Sequence, residues 1–216
     1  MSSARDNILA RLRANRAEAA PPLPDFDVVE SRGWSDDEKL DRLQKAMLSV
    51  RTEFLDARDQ DWVARVQAWL ETEKVPALMY APETELGRKL KAGWPEAGPP
   101  LVPYDRALAE WKHELFAFEG AGITGTEGGI ALTGTLILRP GPAEPRTLSL
   151  VPPIHIALLD CKTLHDTMAE ARKAQGWEAD MPTNLLFVSG PSKTADIEQI
   201  LAYGVHGPKR LLVVLI

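Results

Sequence analysis

Apolar and polar positions from Asp36 onward keep helical spacing, with Leu40, Leu43, Met47 and Val50 on one face. Ser35 precedes this run and Glu38 sits in its first turn, the pairing in which each side chain satisfies the other's free backbone N–H. A second stripe, Trp62, Val66, Trp69 and Leu70, follows Asp59 and Asp61, either of which can cap it. Glu83 to Lys91 and Leu108 to His113 predict further helices, and "PALMYA" and "PLVPY" predict short strands. Nearer the amino end, Ile8, Leu9 and Leu12 mark a basic helix, set off by the prolines of "AAPPLPD". The organisation expected is a helical arm over 1–20, a Pro-rich linker over 21–34 and an α/β domain over 35–216.

The pattern changes at Gly120. "GAGITGTEGGIALTGTLIL" sets β-branched residues between glycines, "RPGPAEP" is a turn, and "RTLSLVPPIHIALLD" returns to strand character. Ile123 to Asp160 thus reads as a glycine-studded β-meander. Helix is expected over Thr163 to Gln175 and Thr194 to Tyr203, strand over Leu185 to Ser189 and Leu211 to Ile216. Strand and helix alternate at both ends around a β-rich middle. That predicts an α/β fold: a central, mostly parallel sheet flanked by helices, with a glycine-rich β-layer inserted.

Composition narrows the function classes. The 216 residues suffice for one sizeable core. A net charge of −6 with no long Lys/Arg run argues against nucleic acid as a partner. The longest aliphatic run, Leu211 to Ile216, is too short to span a membrane, and the arginine-bearing start has no apolar signal core. A cytoplasmic location is expected. The lone cysteine, Cys161, excludes an internal disulfide and leaves no ligand set for an iron–sulfur cluster within the chain. No histidine pair has metal-ligand spacing, so no metal site is expected.

Several segments could carry chemistry. "GAGITG" matches a dinucleotide fingerprint by letter, but that motif must open a helix, and here strand character follows. A close approach of another segment to bare backbone is the better reading. "SGPSKTADIE" follows an apolar strand. With Gly190 in the turn and Ser192, Lys193, Thr194 and Asp196 at a helix start, it reads as an anion site built on free N–H groups. "GVHGPKR" holds His206 between Gly204 and Gly207, where a loop imidazole can act as acid, base or anion donor. Glu127, in "TGTEGG", is a carboxylate among glycines, placed to serve as nucleophile or base. His155 alternates with Ile154 and Ile156 and reads as a satisfied histidine under a helix.

Taken together, "GITGTEGGIALTGT", "SLVPPIHI" and "GPSKTADIEQILAYGVHGP" resemble the LUD domain family, named for lactate utilisation. The amino-terminal "ARDNILARLR" is also similar to that family's first helix. The resemblance implies a fold related to CoA transferases and ribose-5-phosphate isomerase (NagB/RpiA-like). It implies a subunit working with two iron–sulfur lactate-utilisation proteins that together oxidise L-lactate to pyruvate. The chain itself would bind no cofactor, the clusters would lie in the partners, and a small carboxylate or phosphate would be its ligand. The alternatives are a free-standing CoA-transferase or isomerase-like enzyme acting on a CoA ester or sugar phosphate, and a non-catalytic scaffold. One departure stands out: Leu132 occupies the position where the family commonly has glutamate before Thr-Gly. Any carboxylate chemistry would then fall to Glu127.

Overall fold

The computed structural model describes residues 4–14, 31–195, 201–203 and 206–216. Helix α1 (Ala4–Ala14) buries none of its residues, and Ile8 and Leu12 are exposed. Helix α2 (Asp36–Leu48) begins on the predicted capping box: Ser35 Oγ accepts from the Glu38 N–H, and Glu38 accepts from the Ser35 N–H at 2.9 Å. Its stripe of Leu40, Leu43 and Met47 is buried. Strand β1 (Glu53–Asp56) was hidden by its shortness and its two carboxylates. Asp61 caps α3 (Trp62–Thr72) by accepting from the Val63 N–H. Then come β2 (Leu78–Tyr80), α4 (Glu85–Gly93), β3 (Leu101–Pro103), α5 (Leu108–Phe116) and β4 (Ala121–Gly125).

The middle of the chain holds β5 (Gly128–Ile130), β6 (Thr135–Leu138), the short α6 (Thr147–Leu150) and β7 (Ile154–Leu159). After it lie β8 (Leu164–His165), α7 (Met168–Ala174), β9 (Leu186–Val188), β10 (Lys193–Ala195), β11 (Leu201–Tyr203) and β12 (Arg210–Leu215).

Six strands make one parallel sheet in the order β1-β12-β7-β4-β2-β3. Strand alternation divides the core in two. Leu212 and Val214 of β12 join Ile123, Ile156 and Leu78 under Val66 and Leu70 of α3 and Leu90 of α4. Leu211 and Val213 face the other way, with Ala157 and Leu159, under α2 and under Leu136 and Leu138 of β6. The unbroken apolar run of β12 thus reflects burial on both faces. The β-layer is a second, four-stranded sheet in the order β8-β5-β6-β9, closed outside by Ala171 of α7 and Trp177 against Ile130 and Ile137.

The structure corrects three local expectations. Thr147 to Leu150 is a helical turn, and it explains Gly122 of β4. A Cβ on Gly122 would lie 2.3 Å from the Leu148 carbonyl oxygen, so α6 rests on bare strand backbone. Helix α7 begins only at Met168, capped by Thr167, because Asp166 is drawn elsewhere. The Asp166 carboxylate accepts from Ser31 Oγ at 3.0 Å and from the Arg32 N–H at 2.6 Å, anchoring the chain that leads into α2. The largest difference is at Thr194 to Tyr203. In place of a helix start, β10 pairs antiparallel with β11, Thr194 opposite Ala202. The Ser192 N–H donates to the Pro208 carbonyl at 2.8 Å, so this backbone is satisfied across a loop and by a ladder rather than by helical bonds.

Candidate functional site

Strand β9 belongs to the second sheet and runs antiparallel to β6, with Val188 opposite Leu136. Its carboxyl end therefore delivers Ser189 to Ser192 to the amino edge of the main sheet, beside the entries to β7 and β12. Were β9 a strand of the main parallel sheet, the same turn would instead fall at the carboxyl edge. A cavity of about 190 Å³ lies there. Its polar lining is Ser149, His155, Ser189, Ser192 and His206, and its apolar lining includes Leu150, Phe187 and Leu211.

Each wall has a local cause. Gly190 sits at φ +155°, with Val50 Cγ2 2.8 Å from where a Cβ would stand, so the turn passes close over the end of α2. A Cβ on Gly207 would be 3.1 Å from Ser192 Cβ, which lets the His206 loop close against the Ser192 turn. Ser189 is tied to the hairpin between β5 and β6 by a chain of hydroxyls. Thr133 Oγ1 to Thr135 Oγ1 is 2.8 Å, and Thr135 Oγ1 to Ser189 Oγ is 2.8 Å. On the floor, His155 is 1% exposed and its Nε2 is 2.8 Å from Thr124 Oγ1. Burial pushes its pKa down to about 4, so at neutral pH the ring is uncharged.

The predicted site residues divide. Gly190, Ser192, His206 and Gly207 meet at this cavity, and His206 is exposed at its mouth. Lys193 is exposed at the start of β10 and is not among the lining residues, and Thr194 follows it in the ladder. The anion site predicted from a helix N-terminus at these residues has no such helix behind it. Asp196 and Gly204 lie outside the described residues. Glu127 is remote. It follows β4 at the carboxyl edge, where Arg139 Nη1 is 3.5 Å from its carboxylate and Gln175 Nε2 donates to its carbonyl at 3.1 Å. Main-sheet strands of this length separate it from His206 by roughly 15 Å or more, so the two cannot share one reacting atom. Leu132 is at the hairpin tip, 46% exposed, its N–H donating to the Asp166 carbonyl at 3.0 Å.

Sequence reasoning missed Ser149, Ser189 and Thr135 as site residues. Their only signal was position: Ser149 opens "SLVPPIHI", Thr135 closes "ALTGT", and Ser189 precedes "GPSKTADIE". Small hydroxyl side chains have no distinctive chemistry until folding puts them together. The lining offers hydroxyl donors and acceptors, one neutral buried imidazole and one exposed imidazole, with no Lys, Arg, Asp or Glu among the described lining residues. Such a cavity can orient a small molecule and exchange protons with it through the Ser and His groups.

Comparison with known proteins places these features. An uncharacterized protein of Neisseria meningitidis serogroup B is 37% identical over 220 residues, covering 99% of this chain and 94% of that one. A lactate utilization protein C of Oceanobacillus iheyensis is 27% identical over 223 residues, covering 94% of each. A crystal structure of a DUF162 family protein from Deinococcus radiodurans superposes with a TM-score of 0.62 at 21% identity. It covers 84% of this chain and 98% of that one and supports the same mostly parallel α/β architecture. The LUD domain family model matches residues 40–216, which takes in the main sheet, the inserted β-layer and every described wall of the cavity; the chain belongs to the LUD domain family.

Proposed function

We propose that this chain is a subunit of a lactate-utilisation system and that the amino-edge cavity binds a small carboxylate of the lactate–pyruvate class. One observation carries the reading. Three segments far apart in sequence, "ALTGT", "SLVPPIHI" and "GPSKTADIE…GVHGP", supply the hydroxyl chain, the floor and the two loops of a single cavity. Relatives bearing the name lactate utilization protein C support the system to which it belongs. In this reading Ser192 and Ser189 donate to the carboxylate and Leu150, Phe187 and Leu211 enclose the short carbon chain. His206 closes the mouth. The oxidation of L-lactate to pyruvate falls to iron–sulfur partner proteins, which carry the clusters, in the cytoplasm. Among the described residues, no helix is long and apolar enough to cross a membrane.

The test is calorimetry with L-lactate, pyruvate and acetate on the intact chain, alone and with whatever co-purifies from the host. Wild type is expected to bind at least one of them saturably, and Ser192→Ala and His206→Ala to weaken it. Equal affinity in wild type and both variants would overturn the assignment of the cavity.

A further inference from the structure

The opposite edge of the main sheet holds a larger opening. Strands β2 and β4 are neighbours, with Leu78 opposite Ala121. The chain leaves β2 through α4, which packs on the face carrying Leu78 and Ile123. It leaves β4 through the second sheet and α6, which cover the other face, Leu148 against Met79. Two neighbouring strands whose connections depart to opposite faces leave a crevice at their carboxyl ends, the place where open α/β sheets take ligands.

That crevice is present and its lining is ionic. A cleft of about 500 Å³ is bounded by Glu83 after β2, by Tyr104, Asp105 and Arg106 after β3, and by Arg146 and Thr147 after the β-layer. Tyr104 Oη and Thr147 Oγ1 join the two walls at 2.8 Å. Tyr104 meets Trp111 edge-on at 4.8 Å, and the Arg106 guanidinium covers the Trp111 ring at 4.6 Å, so this wall is rigid. Arg106 pairs with Glu114 at 3.0 Å, but both side chains are exposed, a weak pair that a ligand anion can replace. Arg146 has no ion pair among the described residues. The loop that bears it is seated by Glu144, which accepts from the Gly125 N–H at 3.3 Å.

We propose that this crevice is a second ligand site, distinct from the amino-edge cavity, for a phosphorylated, hydroxyl-bearing molecule of nucleotide size. Arg146 and Arg106 hold the phosphate, a task suited to planar guanidinium donors. Glu83 and Asp105 accept from ligand hydroxyls, and Pro142 and Leu108 offer apolar wall. Side chains of both signs suit a ligand carrying an anion and neutral donors, rather than a bare polyanion or an apolar molecule. The volume falls in the ordinary range of small-molecule sites.

The probes are adenosine 5′-monophosphate, adenosine and glycerol 3-phosphate, titrated calorimetrically into the full chain. Adenosine monophosphate is expected to bind more tightly than either of the others, since it alone has both the phosphate and the nucleoside. Arg146→Ala should weaken it about tenfold or more, Arg146→Lys should recover part of the loss, and His206→Ala should leave it unchanged. Absence of saturable binding by all three probes, or equal binding to wild type and Arg146→Ala, overturns the proposal. Loss in His206→Ala but not in Arg146→Ala would assign the phosphate to the other edge and overturn it as well.

Discussion

The two cavities at opposite edges of the main sheet are built from different materials. The amino-edge cavity is made by close backbone contact: α6 on Gly122, the His206 loop on Ser192, and hydroxyls passed from Thr133 to Ser189. No Lys, Arg, Asp or Glu is among its described lining residues. The surroundings of the carboxyl-edge cleft are ionic, whereas the ion pairs of the amino edge, Arg210 with Glu53 at 2.8 Å and Glu73 at 3.0 Å, lie outside its cavity. Arg139 sits between Glu127 and Asp180 at 3.5 and 3.6 Å, and Arg58 holds Asp56. Arg106 and Arg146 face the cleft there. Close packing is unforgiving and leaves a recognisable residue pattern. Exposed ion pairs are weak and replaceable, and leave almost none.

The largest expected effect tests this contrast within one strand. Gly122→Val must push a side chain into the Leu148 carbonyl and Pro152, and is expected to cost about 3 kcal/mol in urea unfolding. Gly125→Ala, at the carboxyl end of the same strand, meets nothing within 4 Å and should change stability by less than about 0.5 kcal/mol. Similar losses at both positions would remove the distinction between the edges.

Next is the buried pair. Thr124→Val leaves His155 Nε2 without its partner in a site closed to water, an expected loss of about 2 kcal/mol in the same measurement. A neutral outcome would mean that the Thr124 hydroxyl does not satisfy the ring.

The pH dependence then separates the edges by sign. His155 has its folded pKa pushed by burial from 6.5 down to about 4, so the unfolded chain binds more protons in that interval. Its contribution is complete above about 6.5 and is lost as pH falls towards about 4. Glu144 is the reverse. Burial raises its pKa from 4.5 to about 7 against the lowering effect of the Gly125 N–H, so the folded chain holds the extra proton. Its contribution is complete below about 4.5 and is lost as pH rises through about 7. Denaturant midpoints across this range should show Glu144→Gln losing less stability than wild type between pH 4.5 and 7. Parallel pH profiles for the two would place Glu144 in water.

The smallest effects on stability are expected at two ligand-facing side chains, His206 and Arg146. Both are exposed, and alanine at either should move the melting temperature little, within about 0.5 kcal/mol. A marked destabilisation by His206→Ala would make that imidazole a structural post of the loop.

Sequence alone determined the elements whose backbone chemistry is local. The Ser35–Glu38 box and the stripe of Leu40, Leu43 and Met47 specify a helix through contacts a few residues apart, while the choice of Asp61 over Asp59 as the next cap is the structure's. The two-faced apolar run of β12 likewise required a covered parallel strand. The motif residues Gly190, Ser192, His206 and Gly207 were legible because together they are unusual in composition. Tertiary structure alone decided on which edge they meet. β9 pairs with β6 and not with the main sheet, a choice made by partners about fifty residues away and invisible to any local period. Lys193 to Ala195 pair instead with the nearby Leu201 to Tyr203, a local ladder where capping residues offered a helix. The parallel order of the main sheet put Glu127 and His206 at its opposite ends. Local propensities are worth tenths of a kcal/mol per residue, and burial and ladder bonds across the fold outweigh them.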